Sequence, residues 1–360
     1  MGTYPACATY VLESGEDLQD VIDKHPKELI GETVMNKFGH SKLPYLPKVL
    51  SIAKALPLQL HPNKEMAAKL HKENPDAFTD PNHKPEIALA LGKFEAFCGF
   101  KPSEQIERLM QLEPLKQFLP SGSSKIDNDS LREVVRSMLK AEESTVEKAV
   151  GELEKLSDSQ LKEDAYIKGL IPRLIDQYGK TDNGLIVALI TMNFLVLEAG
   201  ECISIPADGI HAYLSGDIIE CMARSNNVLN TGFCPRGERN SADLFCKCLT
   251  FKPHNKKDCV VDPAKYTGSK TGKTVLFHPP MNEFNVLSTK LKESDSDTIA
   301  AIDGPSISVV TSGGATMKAK GQSYDMKEGT VWFIAPGTEF EFHGKSSESV
   351  IYTAYADAGT

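Results

Sequence analysis

Ala55-Leu-Pro-Leu-Gln-Leu-His61-Pro62 places two metal-capable side chains one residue apart inside an apolar run. Alternate side chains of an extended strand share a face, so Gln59 and His61 point the same way. Pro62 has no N–H to offer a ladder and ends the strand. A short helix follows over residues 63–74, with Asn63 as its N-cap. Asn82-His-Lys-Pro-Glu86 then brings a carboxylate to the head of a second strand, Ile87-Ala-Leu-Ala-Leu91, and Pro206-Ala-Asp-Gly-Ile-His-Ala-Tyr213 supplies His211. Two imidazoles, one carboxylate and one amide oxygen form a borderline N/O donor set, which suits zinc with a position left for substrate or water. Taken singly, a strand histidine is more often a packing residue and an acid after proline more often part of a turn. The polar Gln-x-His pair, interrupting a face that apolar residues would otherwise occupy, strengthens the metal reading, which becomes strong only with the resemblance below.

The length of 360 residues allows two or three domains with proper cores. A net charge of −9 gives no overall basic field to hold a phosphate backbone, which argues against nucleic-acid binding. Two or three local cations suffice for a small phosphorylated ligand. The longest apolar run, Leu185 to Leu197, is broken by Thr191 and Asn193 and does not read as a membrane span. Nor does the start of the sequence show the basic and apolar regions of a signal peptide. A Met-Gly start suggests myristoylation, but Ala6 stands where Ser or Thr is required. The eight cysteines (7, 98, 202, 221, 234, 246, 248 and 259) lack metal-finger spacing, and Cys246-Lys-Cys248 reads as one face of a strand or turn. Reduced thiols in a cytoplasmic protein are the expectation.

The rest of the chain sorts into three textures. Residues 7–43 mix a polar strand at 8–12 with short helices from Asp17 and Pro26, and 43–54 and 56–61 read as neighbouring strand segments. From Ser103 to about Tyr178 the apolar period becomes helical. Leu131, Val134, Val135, Met138 and Leu139 fall on one face, and Ser144-Thr-Val-Glu147 reads as a capping box. Gly179-Lys-Thr181 is no phosphate loop, because the upstream glycine is absent. Leu185–Leu197 reads as a buried helix. Beyond it, short β-rich runs at 274–291, 298–302, 305–319, 330–342 and 349–355 carry the mark of a sandwich or jelly roll. One internal echo links the two β regions: Glu201-Cys-Ile-Ser-Ile-Pro206 followed by His211, and Thr330-Val-Trp-Phe-Ile-Ala-Pro336 followed by Glu341. No Gln-x-His pair accompanies the second copy, which reads as structural and metal-free.

Leu43-Pro-Tyr-Leu-Pro-Lys48-Val-Leu-Ser, Gln59-Leu-His61-Pro-Asn-Lys64, Asn82-His-Lys-Pro-Glu86 and Ile210-His-Ala-Tyr-Leu-Ser-Gly-Asp217-Ile-Ile-Glu220-Cys-Met-Ala together resemble the type I mannose-6-phosphate isomerases, especially the fungal ones. The resemblance runs over nearly the whole chain, in the family's order and spacing. It implies a mainly β, cupin-type fold with two jelly rolls and an α-helical insertion. The zinc-bearing jelly roll would comprise 1–100 and 185–250, the helices 101–184, and the second roll, without metal, 251–360. It implies interconversion of mannose 6-phosphate and fructose 6-phosphate, one Zn2+ per chain held by Gln59, His61, Glu86 and His211, and a role in GDP-mannose and glycan synthesis. Lys48, Lys84, Tyr213 and Glu220 match residues lining the family's substrate pocket. Lys84 and Glu220, with His83, are the candidates for moving the proton; Lys48, Lys84 and Arg236 are the cations available to the phosphate. The expected protein is a cytoplasmic monomer that takes a small phosphorylated sugar and neither nucleic acid nor membrane.

The sequence also departs from the family pattern. Where the family carries Ser-Asp-Asn-Val-x-Arg, this chain has Ser225-Asn-Asn-Val-Leu-Asn230, so the catalytic arginine position is Asn230 and its acidic neighbour Asn226. An amide replaces neither the permanent charge nor the donor fork of a guanidinium. Arg236 and Arg239 lie on the same loop and offer a substitute charge. Pro57 stands where the family has a serine. The segment matching Met1-Gly-Thr-Tyr4-Pro5 is internal in the family, preceded by further strands. These differences raise a second reading, a weakened descendant that binds zinc and sugar phosphate. A third, an oxygenase on the same scaffold, ranks last, because Gln-x-His with Glu and His is more than the three-residue iron set.

Overall fold

The computed structural model describes residues 1–120 and 125–359, and only the backbone of Cys7. The chain is mainly β with a helical part, as expected. Among the described residues the strands form sheets of two, eight, six and four strands.

The eight-stranded sheet is organised by one long strand, His211–Ala223. Its second half lies between Tyr45–Ile52 and Glu86–Ala90, with Lys48 opposite Glu220 and Glu86 opposite Met222. Its first half pairs with Phe94–Phe100 on one side and, through His211 and Gln59, with Leu58–Leu60 on the other. The strand changes neighbours at Gly216, whose φ of +112° no L side chain adopts comfortably. A Cβ there would lie 2.4 Å from the Lys93 carbonyl oxygen. That glycine allows one strand to serve both halves of the fold.

Strand alternation then sorts the side chains by face. From the first half of the long strand and its neighbour, Leu58, Leu60, Ala212 and Leu214 face outward into a large apolar cluster with the helices. From the second half, Ile87, Leu89, Ile219 and Cys221 pack on Phe284, Val286, Ile307, Val309 and Tyr352 of the six-stranded sheet. Tyr45 joins that contact, its hydroxyl donating to the carbonyls of Pro305 and Ala354 at 3.0 and 3.1 Å. The inward positions Ala88, Ala90 and Ala96 are small, and the polar residues of the sheet share their side.

The helices run from Ser103–Met110 through Asn128–Lys140, Glu143–Leu153 and Ile167–Tyr178 to Asn183–Thr191. Residues 121–124 of the expected helical segment lie outside the described residues. The helices back the segment that leads into the strand Leu58–Leu60: the Tyr178 hydroxyl and the Gln177 amide both bond the backbone of Ala55.

Three local expectations are corrected. Leu185–Leu197 is not one helix: the helix stops at Thr191 and a strand, Met192–Leu197, continues. A run apolar on every side has no periodicity to betray the change. The break is marked by Thr191, whose hydroxyl donates back to the Val187 carbonyl at 2.7 Å. Ser144–Glu147 forms no capping box, because the helix already begins at Glu143. Asn183 donates to the carbonyls of Met138 and Ala141 at the end of the preceding helix. Cys246 and Cys248 lie on the helix Ala242–Cys248, not on a strand or turn.

Candidate metal centre

His61 follows the strand Leu58–Leu60, Glu86 heads the strand Glu86–Ala90 and His211 heads the long strand. All three side chains are buried, and their ligand-capable atoms lie within 4.8 Å of one another. His61 Nε2 is 3.1 Å from Glu86 Oε1, and His211 Nε2 is 3.7 Å from Glu86 Oε2. Each imidazole is fixed from behind. His61 Nδ1 lies 2.7 Å from the Asn227 carbonyl and His211 Nδ1 3.0 Å from the Gly209 carbonyl. A carbonyl only accepts, so both Nδ1 atoms carry the proton and both Nε2 lone pairs face the cluster. Those Nε2 atoms are buried without a hydrogen-bond partner. A buried orphan acceptor on each of two converging rings is costly unless a cation meets it. The donor set therefore fits zinc.

Gln59 completes the row. It is the cross-strand partner of His211 on one side and of Asn230 on the other. Directly paired residues project from the same face of a sheet, so Asn230, Gln59 and His211 share the metal side. The turn before His211 is locked to the other histidine: Asp208, at φ +60°, donates its N–H to the His61 carbonyl at 2.5 Å.

Burial and charge tune the groups around the ligands. Burial pushes His211 down to about 4 and, with Lys84, lowers His61, so both rings are neutral and ready to ligate. Burial alone would raise Glu86, but Lys84 holds it well below the usual carboxylate range. Lys84 Nζ sits 3.1 Å from Glu86 Oε1; the carboxylates of Glu86 and Glu220 outweigh desolvation and raise its pKa. Glu220 is pushed up to about 7 by burial and by Glu86, against the pull of Lys84 and Lys48. Lys48 Nζ lies 3.7 Å from Glu220 and is about one-third exposed, so it is the cation that faces outward. The Tyr213 hydroxyl reaches Glu86 Oε2 at 3.4 Å.

The structure thus brings Lys48, Lys84, Glu86, Tyr213 and Glu220 together with the two histidines, and places Gln59 and Asn230 on the same side. It does not place Arg236 there. That residue is exposed and pairs with Glu143 of the helix Glu143–Leu153 at 2.9 Å. Arg239 is also committed, to Asp182 at 2.6 Å and to the Cys234 carbonyl. His83 bonds Glu283 at 2.5 Å. Sequence reading missed Asn227, Gly209 and Asp80. Asp80 braces the loop behind His61, accepting from Ser225 and Asn227 side chains and from the Asn226 N–H. The side-chain-to-backbone bonding habit of Asp and Asn in Asp80-Pro-Asn82 and Ser225-Asn-Asn227 was the available signal.

Comparison with known proteins resolves what such a centre belongs to. Residues 1–103 match the phosphomannose isomerase type I catalytic domain and residues 274–322 the phosphomannose isomerase type I C-terminal domain. Mannose-6-phosphate isomerases from Ogataea parapolymorpha and Saccharomyces cerevisiae are each 34% identical, over 99% of this chain and 88% of theirs. The chain belongs to the type I phosphomannose isomerases. Two solved members share its fold. The apo phosphomannose isomerase from Salmonella typhimurium has a TM-score of 0.84 at 26% identity, and a zinc-bound mannose 6-phosphate isomerase has 0.83 at 26%. Each matches 99% of this phosphomannose isomerase chain and 90% of its own.

Proposed function

We propose that this chain interconverts mannose 6-phosphate and fructose 6-phosphate, with one zinc held by Gln59, His61, Glu86 and His211. The observation that carries the proposal is the pair of buried, partnerless Nε2 atoms converging on Glu86 in a member of this family. Zinc in that position supplies Lewis-acid polarisation of the sugar oxygen next to the carbon that loses its proton. The side chains do the rest. Glu220, near neutrality and buried, is poised to accept and return a proton between C1 and C2. Lys84, held cationic by two carboxylates, stabilises negative charge developing on the sugar oxygens. Lys48 stands at the outer end of this row and takes the phosphate, a task for which Arg236 is turned away. Tyr213 orients Glu86, and Asn230 offers only an amide where the family carries its arginine.

The finer reading follows the same chemistry. Residues 1–100 and 185–250 form the unit that carries the site, 101–184 the helical insertion and 251–360 the second jelly roll, within a cupin-type architecture. The product feeds GDP-mannose and glycan synthesis. We read the chain as a cytoplasmic monomer with no membrane partner; the net charge of −9 speaks against a nucleic-acid partner, and seven free cysteines among the described side chains suit a reducing compartment. No helix among the described residues is long and apolar enough to cross a membrane. The test is a coupled assay of mannose 6-phosphate conversion on zinc-loaded and chelator-stripped protein. Turnover that survives complete stripping would overturn the proposal.

A further inference from the structure

Apart from the metal centre, one cavity gathers nucleophilic chemistry. It measures about 310 Å3 and is lined by Cys98, Cys259, His254, Lys252, Thr250 and Asp258. Cys259 ends the short turn Lys256–Cys259, and Cys98 lies on the strand Phe94–Phe100. Cys259 Sγ donates to the Cys98 carbonyl at 3.6 Å, and Cys98 Sγ donates to the Ser204 carbonyl at 3.9 Å. The His254 ring lies against the same sulfur, Nδ1 to Sγ 3.8 Å. Room for that ring is made by Gly99, at φ +60°: a Cβ there would lie 2.1 Å from His254 Nε2. A side chain at position 99 would evict the imidazole, so the pairing of His254 with Cys259 is built into the backbone.

We propose that Cys259 is a hydroperoxide-reactive thiolate and Cys98 its resolving partner, forming a reversible disulfide in this cavity. In the first step the Cys259 thiolate attacks the terminal oxygen of a hydroperoxide. The S–O bond forms as the O–O bond breaks, and the sulfur loses two electrons to become a sulfenic acid. The alkoxide or hydroxide that departs takes the proton carried by His254. In the second step the sulfur of Cys98 attacks the sulfenic sulfur. The S–S bond forms as the S–O bond breaks, and the departing hydroxide takes the Cys98 thiol proton and leaves as water.

The other described cysteines do not share this setting. Burial raises Cys202, Cys221, Cys234, Cys246 and Cys248, which keeps them as inert thiols. At Cys259 the neighbouring Cys98 and His254 outweigh burial and bring the thiol down to about 6. Cys259 is thereby set as the attacking group. His254 is raised in turn by Cys259, as an imidazolium beside a thiolate requires.

The experiment exposes the zinc-loaded full chain to hydrogen peroxide near neutral pH and maps each cysteine by differential alkylation and peptide mass. The expected result is loss of free Cys259 at least about a hundredfold faster than Cys246 or Cys248, ending in a Cys98–Cys259 link that dithiothreitol reverses. Cys98→Ser should stop at a sulfenic acid on Cys259 that dimedone captures, and His254→Gln should slow the first step. Oxidation of the cysteines at comparable rates, or oxidised Cys259 in the wild type without a link to Cys98, would overturn the proposal. The wild-type reading needs no variant, and melting curves check that each variant is folded.

Discussion

The two β regions of this molecule use the same strand–proline–strand device to opposite ends. Cys202–Ile205 leads through Pro206 to the strand that opens on His211; Val331–Ile334 leads through Pro336 to Phe340–Gly344, which carries Glu341. In the first region the inward positions include the small Ala88, Ala90 and Ala96 among larger residues such as Phe94, Tyr213 and Ile218, and Glu86, Glu220 and the histidines share that side. In the second the inward positions are Leu287, Val310, Met317, Met326, Phe340 and Phe342, which fill the interior. Glu341 pairs with His343 at 2.8 Å, each about one-third exposed. A functional centre in this fold is thus a core in which small residues stand beside buried polar groups. Polar groups persist there because backbone carbonyls and a lysine satisfy them.

The comparison is broken most severely by removing what occupies the polar core. His61→Ala with His211→Ala should abolish zinc binding and with it all measurable turnover; undiminished zinc by metal analysis would refute the ligand assignment. Exchanging the two kinds of core comes next. Phe342→Ala should cost about 3–5 kcal/mol in denaturant unfolding and leave the kcat of the folded fraction unchanged. Ala88→Leu should cost only about 1–3 kcal/mol by overpacking, yet remove most activity by crowding Glu220. Equal loss of activity in both variants would show that the regions are not functionally distinct.

A finer change restores a charge rather than a volume. Asn230 lies on the metal side of its strand and its Oδ1 is buried without a partner. Asn230→Arg, made with Asn226→Asp, should raise turnover on the order of a hundredfold with zinc content unchanged. Parent turnover already at the level of its fungal relatives would show that the missing arginine does not limit the enzyme.

Glu220 gives the pH signature of the polar core. Its folded pKa of about 7 exceeds the ordinary carboxylate value. Below about pH 4.5 both folded and unfolded chains hold the proton; above that the unfolded chain releases it first. Stability of the zinc-free protein should therefore fall as pH rises from about 4.5 to 7. Glu220→Gln should flatten that fall and gain on the order of 2 kcal/mol at pH 8. A pH profile identical to wild type would show that Glu220 is not held protonated. The smallest effect is expected at Arg236→Ala, which breaks only an exposed pair: stability within about 0.5 kcal/mol and a KM for mannose 6-phosphate within about twofold. Lys48→Ala should instead raise KM by about tenfold or more. Reversed results for these two would move the phosphate to Arg236.

By itself the sequence determined which donor-capable residues share a strand face, and the helical stripes. Those follow from residue type and from a period of two or 3.6, and both are local properties of the chain. Gln59 and His61 had to share a face, and Glu86-Ile-Ala-Leu-Ala90 had to turn its alanines one way and its branched residues the other. Tertiary structure alone decided what those faces meet. The carbonyl that fixes His61 comes from Asn227 and the cation beside Glu220 from Lys48, each more than a hundred residues away along the chain. Arg236 looked available because it follows Asn230 by six positions, but the chain turns it toward Glu143. Cys98 and Cys259, unremarkable in a scattered set, meet only because their strand and turn pack together. Charge, burial and hydrogen-bond partners act through space, and the distances they depend on are written in no single stretch of the chain.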